Sequence, residues 1–307
     1  MKKNFLFRFL HYLCLFASIS LFSASFCQAQ NQSVDVVVFS YNRPMQLFAF
    51  LESLSKYAKN SNEIHIIYRA DIPSHVQAYE IVKQQFPHAQ FHKQGSNPHQ
   101  DFKPLVLSST FSKTSSTDYV VFAVDDIIIT DYFDFAECVK ALQTYKGWGF
   151  FLRFGKNITE EFTTKMKNPC PRGITDSDGF FIWDLRDGKG SWGYPNCLDM
   201  TVYKKQDIQN IFKNAHYNNP NSLETRWDGN RRFNSSTIGI CYLHSKIINI
   251  PMNQVYISQN RQTNLHTADE LLQRFLDGWE IDISKFYKID NTSVHVDYDV
   301  SFIPCTN

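Results

Sequence analysis

The segment Tyr119-Val120-Val121-Phe122-Ala123-Val124-Asp125-Asp126 is an uninterrupted apolar run that ends in two adjacent carboxylates. Unbroken β-branched and aromatic runs of this kind belong to strands covered on both faces, as in parallel sheets flanked by helices. In open α/β sheets ligands bind beyond the carboxyl ends of the strands, which makes Asp125 and Asp126 the first site candidates. The alternative is that the pair only caps the turn leaving the strand, where Asp is common.

The chain before this run alternates between two periods. Val34 to Ser40 is β-branched and reads as a strand, and Met45 to Tyr57 sets Leu47, Leu51 and Leu54 at helical spacing behind Pro44, a residue suited to a first helical turn. Glu63 to Arg69 reads as a second strand, Ser74 to Gln85 as a helix, Ala89 to His92 as a short strand, and Lys103 to Phe111 as a helix. Strands alternating with helices predict βαβ units, hence an α/β fold with a Rossmann-type, mostly parallel sheet flanked by helices. No G-x-G-x-x-G follows the first strand, which disfavours a dinucleotide fold of the usual kind. Beyond Asp126 the pattern predicts a helix over Tyr132 to Tyr145 and strands at Gly149 to Phe154, Asp199 to Tyr203 and Ile247 to Ile250, with a helix near Gln206 to Asn214. Thr267 to Glu270 has the form of a capping box ahead of Leu271, Leu272, Phe275 and Leu276. Between Lys156 and Asn196, Gly, Pro and Asp are scattered among aromatics, which predicts a loop-rich insertion.

The first thirty residues stand apart. Lys2, Lys3 and Arg8 precede a run from Leu10 to Phe26 free of Lys, Arg, Asp and Glu, followed by small residues and a polar switch at Gln30. This is the order of a signal peptide, and the run is also near the lower length for an uncleaved signal anchor. Residues 31–307 are then the functional domain, exported or held at a membrane through the N-terminus, in a secretory lumen, a periplasm or a cell envelope. The net charge of +1, with no basic block, argues against a nucleic-acid partner. Cys138, Cys170, Cys197, Cys241 and Cys305 show no zinc-type spacing; Cys170 and Cys197, flanking a Gly-rich stretch, are the pair expected to bridge in an oxidising compartment.

In a parallel sheet the ends of the first and fourth strands emerge on one side. Ser40-Tyr41-Asn42-Arg43-Pro44 therefore converges with Asp125-Asp126, and Arg69-Ala70-Asp71 and Asp101-Phe102-Lys103 could join them. A cation beside acids suits a diphosphate held with a hard divalent ion. These residues, from Val37-Val38-Phe39-Ser40-Tyr41-Asn42-Arg43-Pro44 through Arg69-Ala70-Asp71 to Val124-Asp125-Asp126, resemble the GT-A class of nucleotide-sugar glycosyltransferases. Downstream, Gly190-Ser191-Trp192-Gly193-Tyr194-Pro195, Leu198-Asp199, Pro220-Asn221-Ser222-Leu223-Glu224 and Ile250-Pro251-Met252-Asn253 resemble segments of bacterial, family-2-like members.

The resemblance implies a nucleotide-binding half over residues 31–155 and an acceptor-side half over 156–307. It puts Ser40, Asn42, Arg43, Arg69 and Asp71 beside the nucleotide, and brings Lys103 to base or phosphate. Asp125 and Asp126 match the start of the D-x-D element, Asp125 towards the donor and Asp126 as ligand of a Mn or Mg ion, although Ile127 stands in the third position and the next acid is Asp131. The implied reaction is attack of an acceptor hydroxyl, on a glycan or another molecule, at the anomeric carbon of a nucleotide-sugar donor. Inversion requires a carboxylate base. Glu224 is the first candidate, with Asp228 and Asp199 behind it. Trp192 and Tyr194, with Trp183, are candidates to stack on an acceptor sugar, against the alternative that they pack locally. His244, His266 and His295 follow no ligand spacing and read as structural. Two rival readings remain: an exported carbohydrate-binding protein that keeps the fold without catalysis, and a nucleotidyltransferase, which would need a Gly-rich phosphate loop not seen here.

Overall fold

Alternate residues of the first strand, β1 (Val34–Tyr41), are committed to two different cores. Val36 and Val38 join one apolar cluster and Val37 and Phe39 the other, as a period of two requires of a strand buried on both faces. The computed structural model describes residues 32–162, 164–229, 236–253 and 265–305; the segment read as a signal peptide or anchor lies outside them. Among the described residues no helix is long and apolar enough to cross a membrane.

After β1 come α1 (Pro44–Tyr57), β2 (Ser61–Arg69), α2 (Pro73–Gln85), β3 (Gln90–Lys93), α3 (Pro98–Thr110), β4 (Tyr119–Val124), α4 (Phe135–Tyr145) and β5 (Gly149–Phe151). The second half adds β6 (Gly173–Thr175), β7 (Phe180–Asp184), β8 (Thr201–Lys204), α5 (Lys205–Asn214), α6 (Pro220–Gly229), β9 (Ile238–Tyr242) and α7 (Ala268–Leu276). The strands form one sheet in the order β3-β2-β1-β4-β8-β5-β9-β7-β6. The pairs among β3, β2, β1 and β4 are all parallel. Only β8 and β7 run against the rest, so the α/β, mostly parallel arrangement expected from the alternation of elements is what forms. Apolar side chains of α1, α2 and α4 cover one face, and those of α3, α5 and α6 the other.

Boundaries shift where capping or proline decides them. α3 starts five residues before the expected Lys103, because Pro98 opens its first turn. α4 starts three residues after Tyr132, at the point where Asp134 accepts a hydrogen bond from the Ala136 amide at 2.8 Å. The loop-rich stretch is partly sheet: Phe180, Phe181, Ile182 and Trp183 in β7 are buried and pair with β9, which the sequence reading left unassigned. The expected bridge between Cys170 and Cys197 does not form; both are free, Cys197 lying against Thr201.

Among the described residues three short ribbons lie outside the sheet. One of them decides the site, pairing Ile127–Ile129 with Ile247–Asn249 and placing Asn249 opposite Ile127. The register of β1 and β4, with Phe39 opposite Val124, makes both strands end at the same level.

At the opposite end of β1, Asp35 is fully buried. Its carboxylate accepts from Lys205 Nζ at 2.6 Å, Ser115 Oγ at 2.6 Å, Asn62 Nδ2 at 2.7 Å and the Glu63 amide at 3.2 Å. These bonds join β1, β2, the loop before β4 and α5. Removing the cation alone leaves a buried charge without its counter-ion, which typically costs about 3–5 kcal/mol. Lys205→Met is expected to destabilise the fold by about 3 kcal/mol, at the low end of that range because the three neutral donors persist; urea unfolding of the two proteins measures it.

Candidate functional site

Arg43 stands between β1 and α1, one residue past Asn42, and is almost fully buried. Its Nη1 contacts Asp125 Oδ1 at 3.2 Å and Asp126 Oδ2 at 2.8 Å, its Nε donates to Asn253 Oδ1 at 2.9 Å, and its Nη2 donates to the Asn253 carbonyl. Two carboxylates side by side repel, and a planar guanidinium with donors on several edges lets them coexist in a dry place. The geometry is fixed from behind as well. Tyr41 N donates to Asp125 Oδ2 at 3.1 Å, Asn249 Nδ2 donates to Asp126 Oδ1 at 3.1 Å, and the Ile250 amide donates to the Asp126 carbonyl at 2.9 Å. Burial pushes the Asp125 carboxyl up to about 6 and the neighbouring Asp126 pushes the same way, against the pull of Arg43. For Arg43, burial works against the charge, but the two acids outweigh it and raise its pKa above the ordinary value.

A third acid, Asp71, lies beside the cavity rather than on its wall. Asp71 accepts from Tyr41 OH at 2.7 Å, Arg69 Nε at 2.6 Å and Asn42 Nδ2 at 3.3 Å, and its amide donates to Asn42 Oδ1 at 3.1 Å. Asn42 has φ +52°, a left-handed conformation that Asn tolerates better than most residues. Burial pushes Asp71 up, yet the hydrogen bonds from Tyr41, Arg69 and Asn42 and the charge of Arg69 hold it below the ordinary carboxylate value. The Arg69 guanidinium lies 4.6 Å from the centre of the Tyr41 ring. Ser40 Oγ is 2.5 Å from Tyr79 OH.

The facing wall comes from the second half. β8 is antiparallel to β4, so its first residues meet the carboxyl end of β4, and the Met200 amide bonds the Phe122 carbonyl at 2.9 Å. Asp199, just before β8, therefore arrives at the level of Asp125. Glu224 stands in the second turn of α6, where its Oε1 accepts from the Leu198 amide at 2.9 Å. Burial raises the Glu224 carboxyl to about 7, Asp199 and Asp228 add to the rise, and the Leu198 amide and Arg153 oppose it. Both walls line one cavity of about 700 Å³, in which Ser40, Arg43, Arg69, Asp125 and Asp126 are joined by Arg153, Tyr194, Asp199, Glu224, Asn249 and His295. The size suits a small-molecule ligand site.

Several sequence candidates fall elsewhere. Trp192 is fully buried, stacked on Phe154 with ring centroids 4.3 Å apart and bonded through Nε1 to the Ile158 carbonyl, so it packs in the core and cannot stack on an acceptor. Trp183 is likewise buried, edge-on to Trp192; Tyr194 keeps its place on the cavity wall. Lys103 is one residue beyond Phe102, about 100° further round the helix, and its Nζ donates to the carbonyls of Lys213 at 2.8 Å and Ala215 at 2.7 Å instead of reaching base or phosphate. Asp228 is buried on α6 and does not reach the cavity wall. His244 and His266 pair with surface acids as structural residues. His295 departs from that expectation: it lines the cavity 3.9 Å from Asp199.

Arg153, Asn249 and His295 are the site residues that sequence reasoning missed. Asn249 carried a signal, since it is the polar residue inside the predicted strand Ile247 to Ile250, but only the pairing with Ile127–Ile129 shows that it reaches Asp126.

A divalent ion is what the resemblance adds to Asp126. Among the described residues no three His, Cys, Asp or Glu side chains converge as a cage. Ions of this class on a nucleotide need only one or two protein carboxylates, with phosphates and water supplying the rest. Asp126 faces the cavity, and each of its oxygens carries one hydrogen bond and retains a second lone pair. That donor set fits an ion shared with a substrate diphosphate.

No protein-family profile matches the chain. Over 227 residues, 66% of this chain, it is 25% identical to the bifunctional glycosyltransferase pgtA of Dictyostelium discoideum. The chain is similar to a glycosyltransferase. The matched segment is 28% of that protein's own length, so this glycosyltransferase-like chain spans well under half of the relative it matches. Among solved structures, 4-diphosphocytidyl-2C-methyl-D-erythritol synthase of Anaerococcus prevotii overlaps 72% of this chain and 92% of its own, at TM-score 0.41 and 11% identity. TarS of S. aureus overlaps 69% and 58%, at 0.40 and 11%. The mannosyltransferase PcManGT of Pyrobaculum calidifontis, solved with GDP-Man and Mn2+, overlaps 62% and 50%, at 0.35 and 10%. These overlaps are loose, and the fold of the glycosyltransferase-like chain rests on its own strand order.

The raised Glu224 carboxyl has a sign that stability can read. A group that binds its proton more tightly when folded stabilises the fold below its unfolded value of 4.5 and loses that contribution as pH rises through about 7. Glu224→Gln is therefore expected to match the wild type in stability near pH 4.5 and to exceed it at pH 8; parallel urea unfolding at the two pH values checks this.

Proposed function

We propose that the chain transfers a sugar from a nucleoside-diphosphate donor to an acceptor hydroxyl. The observation that carries the reading is the cavity itself, which has the Arg43-Asp125-Asp126 clamp on one wall and the raised carboxyl of Glu224 on the other. The likeness to pgtA supports it.

In this reading the ends of β1 and β2 hold the nucleoside, with Tyr41 and Arg69 presenting a planar surface and Asp71 fixing both. Asp126 would hold a divalent ion, which would supply charge neutralisation for the leaving diphosphate. Glu224 takes the proton from the acceptor hydroxyl. A base poised near neutrality is suited to that step, and the approach of Asp199 helps to keep it poised. Tyr194, at the same wall, contacts the acceptor sugar. For the N-terminal segment, the proposal is delivery to, or anchoring at, a membrane-bounded compartment stocked with nucleotide sugars.

Calorimetric titration with a panel of nucleoside diphosphates, with and without manganese, tests the donor half. The expected result is metal-assisted binding that is lost in Asp126→Asn. Absence of binding by every nucleotide would instead favour a carbohydrate-binding protein on the same fold. For the chemical step, Glu224→Gln is expected to lower turnover by about 10²- to 10⁴-fold, the usual worth of a general base, with donor affinity retained. Near-normal turnover removes Glu224 from the role.

A further inference from the structure

The hydrogen bond that orients Glu224 comes from the Leu198 amide, at the end of a short arch, Tyr194 to Leu198, that is pinned along its length. Tyr203 OH donates to the Pro195 carbonyl at 2.6 Å and accepts from the Cys197 amide at 3.1 Å. Trp148 Nε1 donates to Asn196 Oδ1 at 3.0 Å, and Asn196 Nδ2 donates to the Trp227 carbonyl at 3.4 Å. At the arch's first residue, Arg153 Nη2 donates to the Tyr194 carbonyl.

Arg153 is the unusual member of this set. It follows β5, is only 4% exposed, and lies with its guanidinium 4.5 Å from the centre of the Phe154 ring. It lines the same cavity as Glu224 and Asp199. Its Nε has no hydrogen-bond partner among the described residues. A buried cation with a donor left over is costly as mere packing, and no carboxylate forms an ion pair with it at contact distance among the described residues. The titratable groups near enough to couple to its charge are Cys197, Asp199, Tyr203 and Glu224, and of these Asp199 and Glu224 are the carboxylates.

We propose that Arg153 is the positioning residue for Glu224: it holds the arch whose amide orients the carboxylate, and its fixed charge favours the ionised, proton-accepting form. This deepens the assignment of Glu224 as the base and rests on it. The groups that face Glu224 are Asp199 ahead of β8, Asp228 on its own helix, Leu198 N from the arch and Arg153 beyond β5; Tyr194 and Cys197 lie close by in the arch, and His295 reaches Asp199 from the C-terminal segment. Among these Arg153 is the one permanent cation, so its removal has a definite sign.

The test reads the carboxyl directly and needs no turnover. Full-length chain carrying isotope-labelled glutamate is titrated by carbon-detected NMR, and the Glu224 signal is assigned by its loss in Glu224→Gln. In Arg153→Gln, which keeps a donor for the Tyr194 carbonyl but no charge, the Glu224 midpoint is expected to move up by about one pH unit or more, the usual effect of losing a nearby opposite charge. In Arg153→Lys it returns towards the wild-type value. Where turnover is measured, the acid limb of kcat/KM moves with the midpoint. An unchanged midpoint in a folded Arg153→Gln overturns the proposal, as does loss of the native fold in both variants, which would make Arg153 a core residue only. A shifted midpoint in a chain that turns over no nucleotide sugar leaves the Arg153–Glu224 coupling standing and sinks the transferase reading instead.

Discussion

The guanidinium of Arg43 is the interaction on which the site depends. Without it, Asp125 and Asp126 would be two adjacent carboxylates in a nearly dry corner, and burial alone would favour protonating or expelling one of them. With it, β1, β4 and the segment around Asn253 are tied at one point, although Arg43 and Asn253 are 210 residues apart in the chain. The clamp works because strand register brings the ends of β1 and β4 to one level. A slip of one residue would send Arg43 and the acids to opposite faces. Local strand pairing and site electrostatics are thus one constraint seen at two scales.

The first half of the molecule was legible in the sequence because its two periods are clean. β1, α1, β2, α2 and β4 lie within a few residues of their expected positions, and the convergence of Arg43 with Asp125 and Asp126 follows from parallel topology. The second half was harder to read for a physical reason. Its strands are short, two of them run antiparallel, and register partners such as Asp184 of β7 and Ile238 of β9 lie 54 residues apart, a pairing no local pattern announces. Trp192 shows the same limit from the other side. Its neighbours Gly190, Ser191 and Tyr194 do line the cavity, yet the tight turn that carries them rotates the indole into the core. Gly190 has φ +52° there, and Glu161 grips the turn by accepting from the Ser191 amide at 2.5 Å and its hydroxyl at 2.7 Å. Sequence spacing identifies a loop that reaches a site; it does not tell which of the loop's side chains face it.

The antiparallel insertion of β8 is what turns the carboxyl edge of the sheet into a two-walled cavity. A parallel strand beside β4 would have begun at the far end of the sheet and carried its leading acid away from Asp125. Running backwards, β8 starts at the ligand edge, so Asp199 and the arch before it stand opposite the Arg43 clamp. Arg153 enters by the mirror-related route, since β5 runs with β4 and ends at that same edge. The second wall is therefore assembled from the start of one strand and the end of another, braced by α6 through Glu224.

The two walls treat their acids differently, and in the proposed reaction that difference separates their roles. Asp125 and Asp126 are held by an arginine in direct contact, by side-chain and backbone amides, and by strand geometry, so their oxygens are fixed in place. Such acids hold things still. Glu224 has one backbone hydrogen bond and faces a second carboxylate, while its cation acts from a distance; its carboxyl rests near neutrality because neither state is strongly preferred. A group balanced between protonation states can accept a proton and release it at little cost in either direction. Burial raises the carboxyls of both Asp125 and Glu224, and what separates the two walls is that Asp125 is met by a cation in direct contact while Glu224 is not.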